Sequence, residues 1–357
     1  MIYSYETITL VELEISTYCN AACPQCPRNY YGGKTVSNLP LINWSLNQLK
    51  QILDESFIKR LKMIYFCGTY GDPLMNNELV AMCEWLKSIN SELKIGIHTN
   101  GGVGFKKTFK SLAKLVNFIA FAIDGLHDTN HIYRRNTKWN TIIENCSTFI
   151  DSGGYAVWDY IVFKHNQHQV DEAQELSKQL GFKEFNIKKT GRFFDRNHKL
   201  HKKLEVLDNN KNFAYNIEPS TIQFYKNTGY DIIESIDLQK YVKETKITCY
   251  LMNQNMLYIG ADGYVFPCGF LHDRLYGADA ENYTDYQKLK SLMEYSGGEA
   301  ATNVFHSPLE NIVNGNWFKC LKESWGNHRR IDRCAMMCGD TINVVKQQNT
   351  DIQYKNV

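Results

Sequence analysis

This 357-residue chain has few of the features that would mark a partner or a compartment. Its formal net charge is only +2, so no surface of one sign is expected to draw nucleic acid or an anionic membrane. No apolar run approaches the roughly 20 residues that a bilayer-spanning helix needs. The start, Met1-Ile-Tyr-Ser-Tyr-Glu6, lacks the basic and apolar regions of a secretory signal. No internal repeat or low-complexity tract is visible. These absences argue against membrane and nucleic-acid partners and make the cytoplasm the expected compartment, where thiols are kept reduced. Cysteine is the exception to this sparseness. The chain has 11 cysteines, which in a reduced compartment point to metal rather than to disulfides. Three lie within residues 19–26 and five within the last 110 residues, so two metal sites are expected.

From residue 8 to about 190, short β-rich runs alternate with helical patterns. Ile8–Ser16 reads as a strand in which Leu13 and Ile15 alternate with Glu12 and Glu14. Residues 43–57 read as a helix with Leu46, Leu49 and Leu53 on one face. Further strands are expected at 62–66, 93–98, 118–123, 155–163 and 184–188. Helices are expected over the stripe Leu79–Ile89, over Trp139–Ile150 and near 168–180. Six β-α units imply parallel strands joined by right-handed crossovers. The expected fold class is therefore α/β, a partial (β/α)6 TIM-type barrel over residues 1–195, with chemistry at the carboxyl ends of its strands. The stretch Arg196–Asn212, rich in Lys and His, reads as an exposed loop or linker rather than a substrate-binding basic patch, and 196–245 as a linker. From 246 to 357 the alternation fades into turns and cysteines, as in a small metal-stabilised domain. Cys67, Cys83 and Cys146 read as packing residues.

At the end of the first strand stands Cys19-Asn-Ala-Ala-Cys23-Pro-Gln-Cys26. Three thiolates within eight residues can grip one metal centre. Structural zinc and ordinary iron–sulfur clusters use four protein ligands, so something other than protein should complete this one. The Cys-x3-Cys-x2-Cys spacing resembles the signature of the radical S-adenosylmethionine (radical SAM) enzymes. In that family three cysteines hold a [4Fe-4S] cluster whose fourth iron binds SAM. Other strand ends extend the resemblance. Tyr70-Gly71-Asp72 stands where the family has Gly-Gly-Glu, which holds the SAM amino group. His98-Thr99-Asn100-Gly101 resembles its Thr-Asn-Gly, and Ala122-Ile-Asp124-Gly125 its Ser-Leu-Asp-Gly, with Ala122 in place of a ribose-contacting Ser. Arg134 or Arg135 falls near the family arginine that clamps the SAM carboxylate, a task suited to a guanidinium. Asn166 matches a frequent asparagine or simply makes a turn. Gln25 replaces an aromatic residue that packs beside the adenine.

The second cysteine set comprises Cys249, then Gly263-Tyr-Val-Phe-Pro-Cys268, Cys320, and Cys334-Ala-Met-Met-Cys338. Its order resembles the Twitch domain, a shortened SPASM domain that carries one auxiliary [4Fe-4S] cluster. The resemblance implies Cys249, Cys268, Cys334 and Cys338 as ligands, with Cys320 as the substitute, while a structural zinc on the same thiolates stays open. It also implies the activity. An electron donor such as a flavodoxin or ferredoxin reduces the first cluster, SAM is cleaved to a 5′-deoxyadenosyl radical, and that radical abstracts hydrogen from a small molecule or a ribosomal peptide. Glu14 and Asp159, on strands facing the barrel, are candidates for handling protons or satisfied structural carboxylates. Only eighteen residues precede Cys19, which leaves no fused leader-binding domain and favours a small molecule or a separately delivered peptide. The rivals are a zinc-stabilised binding protein and a ferredoxin-like electron carrier.

Overall fold

The computed structural model describes residues 3–195, 199–227 and 229–341. Six parallel strands form the frame: β1 (Leu10–Leu13), β2 (Met63–Phe66), β3 (Lys94–Thr99), β4 (Phe118–Ala122), β5 (Ala156–Ile161) and β6 (Glu184–Lys188). They pair in sequence order, each with its successor, as right-handed β-α crossovers require. This is the expected α/β partial barrel. Alternation along the strands divides two cores. Val11, Leu13, Ile64, Ile95, Ile119 and Phe121 face the helices, where they meet Met82, Leu86, Phe109, Leu112 and Phe149. The opposite face plugs the barrel with Met63, Tyr65, Phe118, Ala120 and Val157. Cys83 and Cys146 are fully buried in the helix-side core and Cys67 packs against the plug, as expected of packing residues.

Two local departures have clear causes. The helix expected over 43–57 divides into Leu46–Ile52 and Glu55–Arg60. Ser45 and Gln48 form a reciprocal capping box on the first piece, and Asp54 then accepts from the Phe57 amide at 2.8 Å, starting a second helix. A helix over Lys106–Leu115, between β3 and β4, escaped the hydrophobic pattern because its four lysines leave only Phe109 and Leu112 fully buried.

The larger departures concern the segments after the barrel. Residues 199–212, expected to be part of an exposed loop, include β7 (Leu204–Leu207), which pairs antiparallel with β8 (Phe213–Ile217). The hairpin is held because Val206 and Ile217, both essentially buried, pack against Ala21, Cys23, Tyr133 and Phe163. Arg196 to His198 lie outside the described residues. Farther on, β9 (Met256–Ile259) runs parallel to β1 on the side away from β2, with Leu10 opposite both Met63 and Met256. A two-residue strand, β10 (Val265–Phe266), turns back on β9 after Gly263. The sheet thus has eight strands and runs across the expected boundary between 1–195 and 246–357. Short helices complete the C-terminal part, ending in Asp332–Cys338. Among the described residues, no helix is long and apolar enough to cross a membrane.

Candidate active site

The carboxyl ends of β1–β6 open onto a cavity of about 230 Å³. Cys19, Cys23 and Cys26 line it, together with Gly71, Asp72, Thr99, Asn100 and Arg134. The loop bearing the cysteines is folded on itself by Cys26 N donating to Cys23 O at 3.0 Å and Ala21 N donating to the Cys19 sulfur at 3.4 Å. Each thiol has a neighbour of its own. Asn100 Nδ2 donates to Cys19 Sγ at 3.6 Å, Arg134 Nη1 to Cys23 Sγ at 3.6 Å, and Cys26 Sγ lies 3.7 Å from Thr69 O. Burial pushes all three thiols up, Cys26 to about 11, so they stay protonated until a positive centre takes their charge.

The loop after β2 is drawn tight against β1. A Cβ on Gly68 would stand 1.9 Å from Gly71 O, and one on Gly71 would stand 1.8 Å from Ser16 O, so only glycine allows this approach. Asp72, at its end, is buried and saturated. Its carboxylate accepts from Thr99 Oγ1 at 2.9 Å, from Asn100 N at 2.8 Å, from Asn100 Nδ2 at 2.7 Å and from Leu74 N at 3.0 Å. Asp72 therefore latches the end of β2 to the end of β3, which leaves the backbone of residues 68–71 as the polar surface that loop offers the cavity.

The two adjacent arginines have different tasks. Arg134 Nε donates to Asp124 Oδ2 at 2.6 Å, and Asp124, fully buried, also accepts from Ile161 N at 2.6 Å. Burial works against the Arg134 charge, but Asp124 outweighs it and holds the guanidinium protonated at the cavity wall. Asp124 thus stands behind Arg134 and does not line the cavity. Arg135 turns away, donating to Leu207 O at 2.6 Å and lying over the Tyr215 ring, so it props the hairpin instead. Asn166 makes the turn after β5: it accepts from Phe163 N and donates to Asp124 O and Ile161 O.

Glu14 also stands outside the cavity. It is fully buried, and Oε1 accepts from Tyr258 OH at 2.6 Å and from the Thr69 and Tyr70 amides. Tyr258 OH in turn lies 2.9 Å from His272 Nδ1, and His272 Nε2 lies 2.9 Å from Asp262 Oδ2. Asp159, by contrast, does line the cavity. Burial would raise its carboxyl, but Lys188 at 3.5 Å and His98 at 3.6 Å bring it down to about 2. His98, Lys188 and Thr190 are cavity residues that motif reading missed. They sit at or just past the ends of β3 and β6, and that placement is the signal that could have found them. Gln25 carries no aromatic face. Instead it ties the cysteine loop to the segment after β6, donating to Arg192 O at 3.1 Å and lying 3.2 Å from Thr190 Oγ1.

Four cysteines of the second set are brought together. Cys249, Cys268, Cys334 and Cys338 line one small cavity with Ile247, Leu271 and Met337, and Cys320 does not line it. A hydrogen bond between Cys249 and Cys338 pushes the Cys249 thiol up and the Cys338 thiol down. Among the described residues, no group of three or more His, Cys, Asp or Glu closes around the volume of one metal ion. Four thiolates are a donor set that fits either an iron–sulfur cluster or a structural zinc.

Comparison with known proteins agrees with this geometry. Residues 13–177 match the Radical SAM superfamily. The chain is 26% identical over 150 residues to the GTP 3',8-cyclase of Staphylococcus epidermidis, an alignment covering 40% of this chain and 42% of that protein. It thus spans about two fifths of the curated relative. Among solved structures, that of native anSMEcpe with bound AdoMet and Cp18Cys peptide aligns with a TM-score of 0.55 at 12% identity, covering 97% of this chain and 96% of that one. Streptococcus suis SuiB bound to S-adenosylmethionine aligns with a TM-score of 0.50 at 13% identity, covering 74% and 61%. At such identities the two structures speak for the fold alone.

Proposed function

We propose that this protein, whose residues 13–177 match the Radical SAM superfamily, is a two-cluster radical SAM enzyme acting on a substrate held between its two cysteine groups. One observation carries this reading. The three cysteines of the first motif open onto the same strand-end cavity as Gly71, Thr99, Asn100 and Arg134. Cys19, Cys23 and Cys26 would hold a [4Fe-4S] cluster that leaves one iron for SAM, and Cys249, Cys268, Cys334 and Cys338 an auxiliary [4Fe-4S] cluster in a Twitch-like unit. When bound and reduced, the first cluster and SAM supply a 5′-deoxyadenosyl radical able to take hydrogen from an unactivated C–H bond.

The chain's own residues supply position and charge. Arg134, fixed by Asp124, offers a cation both to the Cys23 sulfur and to an acidic group in the cavity. The backbone of 68–71, held by the Asp72 latch, offers carbonyls to an ammonium. Lys188 and the ionised Asp159 give the far wall one charge of each sign. Asn100 and Arg134 donate towards thiolate sulfurs, a contact that tunes a cluster's potential. The electron donor would be a small redox protein such as a flavodoxin or ferredoxin. The test is anaerobic reconstitution followed by SAM and dithionite, with 5′-deoxyadenosine read by chromatography. Formation that disappears in Cys19→Ala, Cys23→Ala and Cys26→Ala supports the reading. Zinc in place of iron, with SAM left intact in the presence of extract-derived substrate, overturns it in favour of a metal-stabilised binding protein.

A further inference from the structure

The fully buried tryptophans of this chain all satisfy their indole N–H groups. Trp44 Nε1 donates to Ala261 O at 2.7 Å, Trp158 Nε1 to Ile123 O at 2.8 Å and Trp317 Nε1 to Val265 O at 2.7 Å. Trp325 differs. Its Nε1 is buried, yet it has no hydrogen-bond partner among the described residues. A buried donor without an acceptor is costly, so what it is aimed at matters.

Trp325 lines the small cavity shared by Cys249, Cys268, Cys334 and Cys338. An outer cavity of about 360 Å³ adjoins that one, with Tyr3, Thr248 and Lys322 in its wall. Trp325, Ile247 and Cys249 line both, so they separate the outer cavity from the other three thiols. The backbone holds Trp325 in this place independently of the thiols. Its N donates to Lys322 O at 3.3 Å where the helix Asn316–Ser324 ends, and its carbonyl accepts from Arg330 Nε at 2.8 Å. The buried Arg330 guanidinium also donates to Val242 O and Thr245 O, just before Cys249 in the chain. Burial pushes the Cys268 and Cys334 thiols up. The amides of Leu271 and Phe270 work against this at Cys268, and the Trp325 indole does so at Cys334. The orphan donor thus faces the sulfur of Cys334 without completing a hydrogen bond to it.

We infer that Trp325 is a positioning residue of the second cysteine site, whose indole N–H donates to the Cys334 sulfur or a neighbouring sulfide of an iron–sulfur cluster and raises that cluster's reduction potential. The inference rests on reading Cys249, Cys268, Cys334 and Cys338 as cluster ligands. Its physical ground is that reduction adds negative charge to the sulfurs, so a fixed N–H dipole aimed at them stabilises the reduced state more than the oxidised one.

The test uses the reconstituted holoenzyme under anaerobic conditions, with iron, sulfide and zinc measured first. Redox titrations are followed by electron paramagnetic resonance, and the first cluster is recognised as the one whose signal shifts when SAM is added. Trp325→Phe keeps a ring between the two cavities and removes the donor. It is expected to lower the reduction equilibrium constant of the SAM-insensitive cluster about tenfold, or about 59 mV for one electron. The SAM-sensitive cluster should keep its potential, which also shows that the variant is folded. In wild-type protein carrying tryptophan labelled with nitrogen-15 in the indole, the reduced SAM-insensitive cluster should show a nitrogen-15 coupling that Trp325→Phe loses. An unchanged potential in Trp325→Phe overturns the inference and leaves the cluster reading standing. A lowered potential without the wild-type coupling overturns the hydrogen bond in favour of altered solvent access. Zinc at the second site, with no SAM-insensitive cluster, overturns the cluster reading itself.

Discussion

At the scale of single residues, the neighbours Arg134 and Arg135 give the sharpest contrast. Both sit on the same short stretch, yet one lines the strand-end cavity and the other props the hairpin. Arg134→Gln leaves Asp124 buried without its cation, and the expected loss is on the order of 3–5 kcal/mol in chemical denaturation, together with weakened SAM binding. Arg135→Gln removes one charge-assisted bond at a half-buried position, with an expected cost of about 1–2 kcal/mol and SAM affinity unchanged. Equal effects on SAM affinity would show that the assignment of the two is wrong. Asp159 supplies a pH signature. Its folded value, about 2, lies below the ordinary 3.8, so its stabilising contribution is complete above about pH 4 and is lost as the pH falls through 2. Comparing wild type with Asp159→Asn across that range should show a difference of roughly 2 kcal/mol near neutrality that vanishes in acid. The motifs made most of these residues legible: Cys19, Cys23, Cys26, Thr99 and Asn100 line the cavity as their spacing suggested. They did not reveal that the Asp72 side chain is consumed by Thr99 and Asn100. A carboxylate beside a glycine-rich turn looks the same in sequence whether it faces a ligand or a neighbouring strand.

Among the elements, β9 is the one that changes the account of the molecule. By lying beside β1 it brings Tyr258 against Glu14 and completes the buried chain Glu14–Tyr258–His272–Asp262, which braces the turn after β2 at Thr69 and Tyr70. Burial works against a charged His272, but the carboxylates of Asp262 and Glu14 outweigh it and raise its pKa above 6.5. A raised value means that the ion pair's contribution is complete below about pH 6.5 and is lost as the pH climbs through the folded value. Tyr258→Phe, measured by urea denaturation, should cost about 1–3 kcal/mol, since Glu14 then keeps its burial but loses its hydroxyl partner. Cost-free replacement would mean that the chain of contacts does not brace the turn. Met256–Ile259 is a short apolar run outside the alternation of strands and helices that marked β2 and β4, and such a run alone does not separate strand from helix, which is why β9 was invisible in the sequence. The hairpin escaped for a different reason. Its composition between Lys199 and Asn212 is that of a solvated loop, and only tertiary contact with the cysteine loop makes Val206 a core residue.

Over the whole molecule, the first six strands were legible because each ends in a recognisable turn and most alternate with a helix of clear periodicity, the one over Lys106–Leu115 excepted. The cavity lined by Arg192, Arg274 and Arg333 was not, because these residues are far apart along the chain and meet only when the C-terminal helices close over the cysteine loop. The central claim is that two groups of cysteines hold two separate clusters on either side of one cavity. It is tested most directly by iron and sulfide per chain after anaerobic reconstitution of three proteins. These are the wild type, the triple variant with Cys19, Cys23 and Cys26 changed to Ala, and the quadruple variant with Cys249, Cys268, Cys334 and Cys338 changed to Ala. The account predicts about eight irons in the wild type and about four in each variant. Zinc at the second site, or a triple variant that keeps the wild-type iron content, would contradict it.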